Sequence, residues 1–131
     1  MKVALGIGCD RDTPFATIAR AVDDALKQAG VKMSDVCAAA SIDLKSDEPG
    51  LLQLAAARGW RIKFYPAAEL SEIPIPNPSE VVRKYTGTPS VSEAAALLAA
   101  RADMSQLLVE KYKLRGPDGR NATISIARIT Q

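Results

Sequence analysis

The sequence predicts an α/β fold of three layers, a largely parallel mixed sheet between helices that ends in a C-terminal antiparallel hairpin. Three observations carry this. Short apolar runs alternate with stretches of helical periodicity in the order β-α-β-α-β. The runs are almost continuously apolar, as strands covered on both faces are. The last apolar stretch instead alternates polar and apolar residues behind a strong turn signal.

In chain order, Val3 to Gly8 is an apolar run ended by glycine, and Phe15, Ile18, Ala19, Val22 and Leu26 then recur at helical spacing up to Gly30. Val36 to Ile42 is the second strand. The polar loop Asp43 to Pro49 follows, then a helix through Leu51, Leu52, Leu54 and Ala55 that stops at Gly59, then a third strand, Arg61 to Tyr65. Trp60 and Phe64 belong to the edge of the core. The closely spaced prolines of Ile73 to Pro78 remove backbone donors and favour an extended path over the surface. Two helices are expected next, Ser79 to about Tyr85 and Ser90 to about Ala102. The second is so rich in alanine and leucine that most of its circumference must be packed, and Ser90-Val91-Ser92-Glu93 fits a capping box. Leu107-Leu108-Val109 begins a strand, Gly116-Pro117-Asp118-Gly119 turns the chain, and Ala122, Ile124 and Ile126 alternate with Thr123 and Ser125.

The length of 131 residues suits one domain spanning the whole chain, and 47% hydrophobic residues suffice for a core without disulfide or metal. A formal net charge of +2 is too small to drive non-specific binding to nucleic acid. The absence of histidine excludes Ser-His-Asp and Cys-His catalysis and histidine-rich zinc sites. Cys9 and Cys37 are far from a CxxC spacing, and no metal site is expected. Met1 to Gly6 runs directly into a strand with neither a signal-peptide nor a membrane-span pattern, so a cytoplasmic protein with no membrane association is expected.

Functional groups concentrate in a few loops. Thr13-Pro14, Glu48-Pro49, Asn77-Pro78 and Thr88-Pro89 each place proline near the first turn of a helix, where its preset φ and missing N–H fit. Each alone is simply a good helix start. The first two, however, follow parallel strands, and their loops share the carboxyl edge of the sheet, where ligands of open α/β folds bind. Helix N-termini converging there suit an anion. The same loops carry Cys9, Asp10, Arg11 and Thr13, and Asp43, Lys45, Ser46, Asp47 and Glu48, while Lys111 and Lys113 lie on the last strand pair. A solvated loop and an exposed strand face are the plain alternatives for Lys45 to Glu48 and for the two lysines. Cys9 fits packing better than nucleophilic catalysis. Gly6-Ile7-Gly8 does not complete a dinucleotide fingerprint, because Arg11 stands where the third glycine belongs, and Thr86 to Ser90 lacks the lysine of a phosphate loop.

Four segments taken in register, Gly6 to Cys9, Ser41 to Leu51, Pro76 to Val82 and Gly87 to Ala94, resemble the CobE family and the homologous C-terminal domain of CbiG over nearly the whole chain. The resemblance implies a role in cobalamin biosynthesis at the corrin-ring-contraction stage. It implies binding of a polycarboxylated precorrin or cobalt-precorrin intermediate, with any cobalt carried by that substrate and no cofactor of the protein's own. Full-length CbiG proteins open the lactone of cobalt-precorrin-5A with release of acetaldehyde; a lactone hydrolase is therefore the alternative, and a scaffold for another pathway enzyme a third reading. Gly8, Cys9, Thr13, Asp43, Lys45, Asp47, Glu48, Gly87, Thr88, Ser90 and Lys111 match family motif positions. Arg11, Lys45, Lys111 and Lys113 would meet substrate carboxylates. In a hydrolase, Asp47 or Glu48 would activate water while Lys45 or backbone N–H groups would stabilise the oxyanion, an effect worth about 3 kcal/mol per donor. Asp10-Arg11-Asp12 departs from the more basic, glycine-containing family run, and Glu110 stands where proline is common.

Overall fold

The computed structural model describes residues 1–75 and 91–130. Along them run β1 (Lys2–Cys9), α1 (Phe15–Ala29), β2 (Val36–Ile42), α2 (Pro49–Arg58), β3 (Ile62–Tyr65), a short α3 (Ala67–Ser71), α4 (Val91–Ala100), β4 (Leu107–Arg115) and β5 (Asn121–Ile129). The strands form one five-stranded sheet in the order β3-β2-β1-β5-β4. β1, β2 and β3 are parallel, and β5 is antiparallel to both of its neighbours, β1 and β4. This is the mixed sheet with an appended hairpin that the sequence predicts. The helix expected at Ser79 to Tyr85 and the Gly87 to Ser90 turn lie outside the described residues.

Alternation along β1 divides the interior. Val3, Leu5 and Ile7 face one side, where they bury against Ile18, Ala21, Val22, Ala25 and Leu26 of α1 and Leu51 and Leu54 of α2. Complete burial of each such leucine, isoleucine or valine contributes about 1.5–3 kcal/mol. Trp60 and Phe64 pack at the margin of this cluster, as expected. On the other face Ala4 and Ala127 pack under Ala96, Leu97 and Ala100 of α4, and Ala40 and Ile42 under Ala94 and Ala95. Small side chains dominate here because the helix lies almost on the strand. A Cβ at Gly6 would fall on the carbonyl oxygen of Ser92 and 2.7 Å from the backbone nitrogen of Ala96. Gly6 therefore sets the depth of the third layer.

α3 departs from expectation. Five residues are too few to leave a periodicity, and the turn forms because Pro66 caps it and Leu70 is fully buried. No helix among the described residues is long and apolar enough to cross a membrane.

Candidate functional site

The loops after β1 and β2 meet at the carboxyl edge of the sheet. Pro14 takes the N-cap position of α1 and Pro49 opens α2, as the sequence suggests. The first loop is tied down onto β5. The Asp10 carboxylate accepts hydrogen bonds from the backbone N–H and the Nδ2 of Asn121, at 2.8 and 3.1 Å, and Arg120 Nε donates to the carbonyl of Arg11 at 3.1 Å. Thr13 is buried, and its hydroxyl donates to the Asp10 carbonyl at 2.7 Å. It shapes the loop rather than facing solvent.

Arg11 joins the two loops. Its Nη1 lies 2.9 Å from Asp47 Oδ1 and 3.0 Å from Glu48 Oε2, and its Nη2 donates to the carbonyl of Leu44 at 2.8 Å. Glu48, the N-cap residue of α2, is fully buried, and its Oε1 accepts the backbone N–H of Asp12 at 2.7 Å. A carboxylate in that position would be costly without partners; the guanidinium and the amide supply them. Arg11 is thus engaged with this chain's own carboxylates and the Leu44 carbonyl. The Arg11 hydrogen bond also holds the exposed Asp47 below the usual carboxylate range, which makes it a weak base.

Cys9 is half-buried at the end of β1 and packs against the α1 and α2 core. Burial pushes its thiol up to about 11, with Lys45 opposing and the charges of Glu48 and Asp10 adding to the shift. It is a neutral packing group, and the positive charge of Lys45 reaches it from the second loop. Asp43 is exposed, and its carbonyl accepts the N–H of Ser46 in the turn that carries Lys45.

A second group of residues lies on the α4 face. Gly8 pairs with Thr123, which pairs with Lys113, and a Cβ on Gly8 would sit 3.9 Å from Val91 at the start of α4. The β4–β5 register shifts between Val109 and Tyr112, so that Glu110 and Lys111 together span one step of β5. This bulge lets Tyr112 reach Asp24 of α1 while Lys111 reaches Glu93 of α4 on the opposite face, with Nζ 3.4 Å from Oε1. Glu93 is fully buried and was not singled out in the sequence as a site residue. The available signal was an acid in the first turn of a helix packed nearly all round, where a charge needs a partner. Ser92 and Ser125 lie within hydrogen-bonding distance at 2.9 Å, and the Ser125 hydroxyl donates to the Glu110 carbonyl.

The structure thus brings Cys9, Arg11, Thr13, Lys45, Asp47 and Glu48 into one cluster, and Gly8, Lys111 and Lys113 onto the adjoining α4 face. Gly87, Thr88 and Ser90 lie outside the described residues. A separate concavity of about 520 Å³ runs along β3 and the last turn of α4, lined by Cys37, Arg61, Lys63, Tyr65, Leu98 and Arg101 among others. It contains none of the expected site residues. No group of three or more Cys, Asp or Glu among the described residues could hold a metal ion.

Residues 3–127 match the protein family described as Cobalamin synthesis G C-terminus. The chain is 40% identical over 127 residues to a cobalt-precorrin-5A hydrolase of Priestia megaterium, covering 97% of this chain and 32% of the relative. It is 38% identical over 111 residues to Protein CobE of Sinorhizobium sp, covering 83% of this chain and 71% of that protein. The crystal structure of CobE, a protein from the cobalamin biosynthetic pathway, superposes with a TM-score of 0.82 at 37% identity, covering 97% of this chain and 89% of that one. The chain thus spans about a third of the hydrolase, but most of CobE. With the sheet order and these likenesses in agreement, the chain belongs to the Cobalamin synthesis G C-terminal family and is a cobalamin biosynthesis protein.

Proposed function

We propose that this domain binds a polycarboxylated precorrin or cobalt-precorrin intermediate at the corrin-ring-contraction stage, along the carboxyl edge of its sheet. The observation that supports the reading best is the Arg11 bridge to Asp47, Glu48 and the Leu44 carbonyl, which locks two loops side by side at the starts of α1 and α2. Helix N-termini attract anions through free N–H groups and dipole ends. Acetate and propionate side chains of the tetrapyrrole would meet Lys45, Lys111 and Lys113, while Arg11 keeps the edge in shape. Cobalt, where present, arrives in the substrate and is not a cofactor of the protein.

Lactone hydrolysis is the alternative, because two similar proteins are named cobalt-precorrin-5A hydrolase. The carboxylates favour binding over turnover by this domain alone: Glu48 is enclosed and ion-paired, and Asp47 is weakened as a base by Arg11. Under the hydrolase reading Asp47, exposed and near Lys45, is the better activator of water. A partnership with another pathway enzyme would supply what the longer relatives carry in the rest of their length. Titration with cobalt-free and cobalt-containing precorrin-5A, followed by product analysis, tests the proposal. Saturable binding without product supports it, acetaldehyde release supports the hydrolase, and absence of binding refutes both.

A further inference from the structure

The carboxyl edge contains two glutamates with fully buried side chains, each paired with a cation nearer the surface: Glu48 with Arg11 and Glu93 with Lys111. Arg11 is occupied in holding the loops. Lys111 is different. Its side chain is 31% exposed, and the ion pair with Glu93 engages one of the three donors an ammonium carries. The rest of α4 is largely alanine and leucine, and a buried ion pair is on average no more stabilising than apolar residues of similar volume. Two separate features nevertheless converge on this ammonium. The β4 bulge turns Lys111 toward α4, and the Ser125 hydroxyl, within reach of Ser92 beside Glu93, fastens the bulge at the Glu110 carbonyl.

We infer that Glu93 is a positioning residue, which together with the bulge holds the Lys111 ammonium on the α4 face of the sheet to receive a substrate carboxylate. The nature of the anion rests on the proposed function above; the placement of the cation rests on the geometry alone. Replacing Glu93 by glutamine removes a negative charge, so long-range electrostatics by itself would tighten the binding of any polyanion. Positioning predicts the reverse.

The test uses the full chain and a stable porphyrin bearing acetate and propionate side chains, with binding read by fluorescence. Glu93→Gln weakens binding about tenfold in spite of its extra positive charge. In a Lys111→Ala background the same change has no further effect, because the two residues act as one unit. Glu93→Asp, which draws the carboxylate one methylene back, gives an intermediate loss and decides the matter if the glutamine variant does not fold. Equal or tighter binding by Glu93→Gln, or additive losses in the double variant, would overturn the inference. In parallel, ¹⁵N NMR of the lysine ammonium groups reports placement without ligand: the Lys111 signal is slowly exchanging in the native chain and lost in Glu93→Gln. If the native chain ignores the porphyrin, the ligand class fails, and the ammonium signal still decides whether Glu93 holds Lys111.

Discussion

Substituting Gly6 by alanine tests the packing that places α4 over the carboxyl edge. The new methyl would coincide with the Ser92 carbonyl and lie 2.7 Å from the Ala96 nitrogen, both backbone atoms that cannot rotate away. The helix must retreat by roughly 1 Å, and a gap of that size forfeits a quarter to a half of the packing attraction. α4 buries Val91, Leu97 and several alanines, together worth about 7 kcal/mol at ordinary transfer values. The expected loss is therefore about 2–3 kcal/mol, or roughly 10 °C in Tm for a domain of this size. Gly8→Ala is the control. Its Cβ would meet only ordinary contacts near 3.9 Å, so its stability should stay within about 1 kcal/mol of the native protein. Thermal melts of the two variants followed by circular dichroism decide the point. Equal midpoints for Gly6→Ala and Gly8→Ala would refute the close approach of α4 to β1.

Three further outcomes follow from the site. Arg11→Ala returns the Asp47 carboxyl upward toward the ordinary aspartate value, as measured by carboxyl ¹³C titration; an unmoved titration would dissolve the bridge. Because Asp47 is held low in the folded state, its pairing stabilises the protein above the unfolded aspartate value, near pH 4, and that contribution disappears as pH falls through the folded value. With both side chains well exposed, the effect is small. At pH 8 about one Cys9 thiol in a thousand is ionised, so alkylation should proceed at the exposed Cys37 well before Cys9, and Cys9→Ala should retain ligand binding; rapid loss of Cys9 by peptide mapping would contradict its burial. Lys45→Ala should weaken precorrin binding several-fold at low salt, with the difference shrinking as salt rises; an unchanged Kd removes Lys45 from the site.

The layers were legible because continuous apolar runs at Val3 and Val36 and the 3.6-residue spacing from Phe15 to Leu26 admit few other packings. The alanine-rich stretch at 91–100 likewise announced a helix enclosed on most sides. The close-packing role of Gly6 was invisible, since that depends on a helix more than eighty residues away. The convergence of the first two loops could be reasoned from parallel-sheet topology. The partners within it could not: nothing in the composition says whether Arg11 points outward to a ligand or back to Asp47 and Glu48. The bulge at Glu110 and Lys111 was equally hidden. Strict alternation would place Lys111 on the same face as Val109 and Lys113, whereas the extra residue carries the lysines to the α4 side and brings Lys111 to Glu93.

The most direct test is amide NMR mapping during titration with the carboxylated porphyrin. Shifts should concentrate at residues 10–14, 43–49 and 91–93 and around Lys111 and Lys113. Shifts confined instead to Cys37, Arg61, Lys63 and Arg101, in the concavity along β3, would contradict a ligand site at the carboxyl edge.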